Sequence, residues 1–68
     1  EENKKRKMNY ILSIMPQASK EAFLMNRVQG LKYAEIAEEL DISIKAVEKR
    51  MSKALEIIKN ELNKGRVF

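Results

Sequence analysis

The sequence predicts an all-α domain of four helices that contains a helix-turn-helix, and three observations carry that expectation. Apolar residues recur at helical spacing along the whole chain, with no sustained strand-type alternation and no threonine at all. Pro16 and Gly30 punctuate that pattern where one helix should stop and the next begin. The stretch YAEIAEELDISIKAVEKRM, Tyr33 to Met51, then joins two amphipathic segments through a turn no longer than Asp41-Ile42-Ser43.

Each element follows from its own residues. Met8, Ile11, Leu12 and Met15 keep the i, i+3, i+4, i+7 spacing of one helical face, which predicts a first helix over about Lys4 to Ile14. Pro16 ends it by pushing Met15 out of the α region. The basic start, Lys4-Lys5-Arg6-Lys7, opposes the helix dipole and is expected to fray. A second helix follows Pro16 and runs to about Gln29. Its apolar residues Ala22, Phe23, Leu24, Met25 and Val28 point around most of the circumference, so it is expected to be the central helix. Gly30 supplies the left-handed residue that closes it. In the third, about two turns long, Tyr33, Ile36, Ala37 and Leu40 share a face and Glu35, Glu38 and Glu39 turn to water.

Ser43 is an N-cap for the fourth helix, because its hydroxyl can accept from an orphan amide of the first turn. Val47, Met51, Ala54, Leu55, Ile58 and Leu62 continue as one apolar stripe, predicting an unbroken helix of roughly 20 residues and about 30 Å. Ala37 is small enough to let helices three and four approach, and Val47, ten residues on, fills the other side of the crossing. The tight turn falls at Asp41, where glycine is usual because the backbone goes left-handed; aspartate tolerates that region better than most residues. The resulting organisation is an N-terminal helix over 1–15, a helix-turn-helix body over 16–62 with its turn at about 41–43, and a C-terminal tail over 63–68 in which Gly65 to Phe68 are expected to fray.

Composition bounds the function. At 68 residues the chain is one domain, close to the smallest that an apolar core alone can hold. Without cysteine there is no disulfide or thiolate site, and without histidine the commonest general base and metal ligand are missing. No metal, cofactor or enzymatic activity is expected, since the paired carboxylates Glu38-Glu39 have no acid partner and no glycine-rich phosphate loop precedes a helix. The longest apolar run, Ala22 to Met25, is far short of a membrane span, so a soluble domain is expected; the lack of cysteine makes a reducing, cytoplasmic compartment the natural assumption, and the domain is expected to be monomeric. A first residue that is glutamate rather than methionine suggests a piece of a longer protein. Net charge is +4 and is unevenly placed: +2 over residues 1–16 (four basic, two acidic), −2 over 17–42 (three basic, five acidic) and +4 over 43–68 (seven basic, three acidic). With a sequence pI of about 9.5 and the positive charge gathered on the last helix, the chain has the electrostatic footprint of a polyanion binder.

Projected at 100° per residue, helix four sets Lys45, Lys49 and Lys53 opposite Val47 and Met51, with Ser52 and Glu56 on the same outward arc and Glu48 and Arg50 on its flanks. That arc is what the second helix of a helix-turn-helix offers to a major groove about 12 Å wide. Lysines on an arbitrary helix usually do no more than solvate it. Here the turn, the cap, the crossing alanine and the basic arc fall in one register, which favours groove insertion.

The residues also carry a family resemblance. From about Met15 to Leu62, MPQASKEAFLMNRVQGLKYAEIAEELDISIKAVEKRMSKALEIIKNEL resembles region 4 of bacterial RNA polymerase sigma factors of the extracytoplasmic-function type. The similarity lies in the Pro16 start, an Arg shortly before a Gly, Tyr-x-Glu-Ile-Ala, Ile-Ser followed by Val-Glu, and Ser52-Lys53-Ala54-Leu55. The resemblance implies a winged-helix-like DNA-binding fold without a wing, recognition of the −35 promoter element by the last helix, docking on the flap of the polymerase β subunit, and masking by an anti-sigma factor. Carried over by position, Lys45, Glu48, Lys49 and Ser52 face bases or nearby phosphates, and Arg27, Lys32, Tyr33, Ser43 and Lys53 lie near the DNA backbone; Arg50, on the flank of the arc, joins the backbone set. The threonine that the family often places before the valine is Ala46 here, which removes one hydroxyl contact.

Several roles stay open at the level of sequence. Glutamate accepts from cytosine N4 and repels phosphate, so Glu48 either reads a base or is an idle neighbour of Lys49 and Ser52. Arg27 either meets a phosphate or pairs with Glu21 or Glu35. Tyr33 divides between core and phosphate, with the core favoured. Two rival functions remain. A LuxR-type response-regulator domain shares Glu-Ile-Ala and Ile-Ser but shortens its recognition helix, and no break falls between Ser43 and Leu62. A helix-turn-helix that binds only protein partners would use Tyr10, Ile14, Phe23, Met25 and Ile57 as its contact surface, unless the core needs them.

Overall fold

In the structure, a computed structural model, the backbone is described for residues 2–64 and the side chains for residues 6–64. Four helices follow one another: α1 (Glu2–Ile14), α2 (Gln17–Arg27), α3 (Tyr33–Leu40) and α4 (Ile44–Asn63). No strand occurs among the described residues. The all-α, four-helix expectation therefore holds, with helix ends one or two residues from the predicted ones, as fraying at helix termini allows. The expected fraying of the tail at Gly65–Phe68 lies outside the described residues.

Local chemistry accounts for each boundary. Pro16, at φ −56° and ψ 145°, occupies the N-cap of α2 and separates it from α1. The end of α2 unwinds gradually: Val28 N–H and Gln29 N–H both donate to Leu24 O, at 2.8 and 3.3 Å, before Gly30 turns left-handed at φ 72°. Turning thus continues to Gln29 although regular helix stops at Arg27. At the end of α3, Asp41 adopts φ 56° and ψ 48°, the left-handed conformation expected of it. Asp41 N–H donates to Glu38 O (3.3 Å) and Ile42 N–H to Ala37 O (2.9 Å), the paired bonds of a Schellman motif that satisfy the last carbonyls of α3. Ser43 Oγ then accepts from Ala46 N–H at 3.0 Å, which caps α4 as predicted.

The core comprises Ile11 and Met15 of the first segment, Ala22, Phe23 and Met25 of α2, Ile36 and Ala37 of α3, and Val47, Met51 and Ala54 of α4. Ala37 and Val47 are both buried, in keeping with the close crossing of α3 and α4 that the small residue permits. One expectation is corrected. The hub is α4, which packs against each of the other three helices, rather than α2. At 20 residues α4 has the length to touch all of them, and its stripe gives each neighbour a different part of one continuous surface. The molecule measures 38 × 19 × 15 Å, and its long dimension reflects the roughly 30 Å of α4.

Candidate nucleic-acid interface

The face of α4 turned away from the core is built by simple helical arithmetic. Because Val47, Met51 and Ala54 are held inside, positions 45, 48, 49, 52, 53 and 56 must emerge on the other side, and all six are exposed. Ser43, Lys45, Ala46, Glu48, Lys49, Ser52, Lys53 and Glu56 line one open, continuous surface there. All four positions expected to face bases (Lys45, Glu48, Lys49, Ser52) thus share that surface with two of the backbone set, Ser43 and Lys53. Ala46 lies among them, so the missing threonine hydroxyl would have sat at the front.

The chemistry of this surface is that of unspent charge. Among the described residues Lys45, Lys49 and Lys53 make no ion pair with Glu48 or Glu56, and Glu48 makes no side-chain hydrogen bond. Three ammonium groups and one carboxylate are therefore free to meet phosphate and base edges without first breaking a protein contact. Ser43 keeps a role as well: the cap uses a lone pair of Oγ, and the hydroxyl proton remains available for an acceptor.

The remaining backbone candidates, Arg27, Lys32, Tyr33 and Arg50, do not line this surface. Lys32, the exposed N-cap residue of α3, and Tyr33, half-buried and packed on the core, sit together at the start of that helix. Tyr33 thus takes the core role for its ring. Arg50 is half-buried on the flank of α4. Arg27 goes elsewhere. It lines a groove with Met8, Leu12, Phe23, Leu24, Val28, Leu55 and Ile58 that shares no residue with the lysine surface, and among the described residues it pairs with neither Glu21 nor Glu35. The Glu35 carboxylate instead accepts from Lys32 N–H at 2.7 Å, holding the first turn of α3 from below.

That groove was not anticipated. Its lining is wholly apolar apart from Arg27, and Val28, 75% exposed, stands at its edge with the partly exposed Met8 and Leu55. Of the five residues considered for protein contact, Phe23 and Met25 are core and Ile57 packs against it, whereas Tyr10 and Ile14 are exposed but outside the groove. The signal available in the sequence was that Leu55 lies off the centre line of the α4 stripe, so it borders the core rather than entering it. Val28 misled because it follows the last regular turn of α2, where helical projection no longer applies.

No helix among the described residues is long and apolar enough to cross a membrane, and their Asp and Glu side chains form no group that could hold a metal ion. Helix α4 continues without a break over 20 residues, unlike the shortened recognition helix of the LuxR-type rival. Comparison with known proteins agrees with the geometry. The family model for sigma-70, region 4, matches residues 5–58, well over half of the chain. The ferric citrate uptake sigma factor FecI of Escherichia coli (strain K12) is 47% identical over 38 residues, which cover 56% of this chain and 22% of that protein. The chain thus matches under a quarter of its relative's length, and no solved structure matches it significantly. With the match spanning the helices that build the turn and the lysine-bearing face, the chain belongs to the sigma-70 region 4 family.

Proposed function

We propose that this domain recognises the −35 element of a promoter by laying α4 in the major groove while it docks on the β flap of RNA polymerase. The observation that carries the reading is the convergence of Lys45, Glu48, Lys49 and Ser52 on one exposed face of a helix whose other face is locked in the core. Lys45 and Lys49 donate to guanine O6 and N7 or to phosphate; Glu48 accepts from cytosine N4; Ser52 serves either partner. Arg50 and Lys53 on that helix, Ser43 at its cap, and Lys32 and Tyr33 at the start of α3 grip the backbone. Arg27, placed on the apolar groove, is better suited to the protein partner than to phosphate. The groove supports polymerase docking because it is exposed, apolar and distinct from the lysine face, so DNA and polymerase can be held together. The same groove gives an anti-sigma factor a place to compete.

A salt titration of duplex binding tests the DNA half. Affinity should fall steeply with ionic strength, with a logarithmic slope of about −0.9 for each phosphate neutralised. Lys45→Ala and Lys49→Ala should each weaken binding and flatten the slope. Binding indifferent to salt, or unchanged in both variants, would leave a helix-turn-helix that serves protein partners alone. A footprint with reconstituted polymerase then locates the contact at or away from the −35 region.

A further inference from the structure

We propose that Asn26 is a positioning residue for the phosphate grip at the start of α3: its side-chain amide fixes the connection from α2 and thereby aims Lys32 at the DNA backbone. This rests on the promoter-binding reading given above. The connection runs over residues 28–32 and contains Gly30, whose φ of 72° suits glycine and whose lack of a side chain leaves the backbone freer than any other residue would. Unrestrained, such a link would let the first residues of α3 swing relative to α4, and Lys32 with them.

Leu31 is held at both of its backbone groups to the last turn of α2. Its N–H donates to Met25 O at 3.1 Å, and its carbonyl accepts from Asn26 Nδ2 at 2.9 Å. The next residue is Lys32, whose N–H is taken by the Glu35 carboxylate at 2.7 Å. Three consecutive backbone groups across the junction are thus specified, one of them by a side chain of α2, while the Lys32 residue itself stays exposed. Among the described residues, Asn26 is the one side chain of α2 hydrogen-bonded to this connection. Its amide is half-buried, its partner is a carbonyl, and neither a carboxylate nor an apolar side chain in its place could donate to that oxygen.

The experiment uses the 68-residue chain and a promoter duplex at 50 and 200 mM salt, with Asn26→Leu, Asn26→Asp, Lys32→Ala and the Asn26→Leu/Lys32→Ala double variant, folding being followed by circular dichroism. If Asn26 aims Lys32, each single variant gives up about one phosphate contact. The affinity lost between the two salt concentrations then shrinks by about 3.5-fold, the factor that a slope change of about 0.9 produces over a fourfold change in salt. The double variant matches Lys32→Ala alone. The inference is overturned if the Asn26 variants keep the wild-type salt dependence and merely melt earlier, if the double variant is additive, or if Lys32→Ala leaves the slope unchanged. Should Lys45→Ala and Lys49→Ala still weaken binding in those cases, the promoter-binding reading survives; a wild-type chain that binds no duplex removes both.

Discussion

Asp41 does two things that pull against each other. It closes α3 in a left-handed conformation that an L-residue adopts at a cost, and it brings a negative charge to within four residues of Lys45 in the chain. Asp41→Gly removes the steric penalty of about 1–2 kcal/mol and gives back part of it as the backbone entropy of glycine, so it should stabilise the domain by about 0.5 kcal/mol in urea unfolding. An unfolding midpoint that drops would mean that the carboxylate holds the turn. Glu48 is the sharper probe of reading against gripping. Glu48→Ala should relax base preference at one promoter position by about 1–3 kcal/mol in a competition assay with single-base variants, and leave non-specific binding equal or tighter. Equal weakening on every sequence would make Glu48 a structural residue. At this scale the legible features were those with a local rule behind them: a serine three residues before an amide, an aspartate where a helix must turn sharply, an outward lysine four residues from the next. The surroundings of Asn26 and the Glu35 carboxylate were not legible, because they are settled at the connection between α2 and α3, where no period predicts which side chain faces which backbone group, and those of Arg27 depend on how α1 and α4 lie against α2.

Among the elements, α4 contributes to both surfaces, the lysine face and, through Leu55 and Ile58, the apolar groove. Its N-terminus is set by Ser43, its inner stripe by Val47, Met51 and Ala54, and its outer arc by what remains. These were readable beforehand because a 20-residue helix repeats its pattern often enough to leave one consistent phase. The apolar groove was not, since it depends on how α1 and α2 lie against the far half of α4, which no single helix encodes. It offers a clean separation of duties. The neutral variant Val28→Gln/Leu55→Gln should lower affinity for core polymerase by about tenfold, or about 1.4 kcal/mol, with duplex binding unchanged. Pull-down and duplex titration on the same protein sample would read both. A loss of DNA binding in step with polymerase binding would show that the two surfaces are coupled.

For the molecule as a whole, the limiting quantity is size. A domain below about 70–80 residues holds only about 3–5 kcal/mol from a single apolar core, and a buried Ile→Ala change removes about 2–5 kcal/mol. Ile36 is fully buried where α3 meets the rest of the core, so Ile36→Ala should leave most of the chain unfolded at 37 °C by far-ultraviolet circular dichroism. A cooperative transition kept near the wild-type midpoint would mean that the core holds more in reserve than its size suggests. With so little stability to spare, the phase of α4 becomes the decisive asset. Packing dictates one set of its positions and leaves the other set chemically unclaimed, so the outward letters at 45, 48, 49 and 52 form an alphabet that can be rewritten without retuning the fold. If those four positions read bases as proposed, a library randomised there should consist largely of well-folded proteins that differ in the promoter sequence they prefer, which selection on duplex variants would reveal.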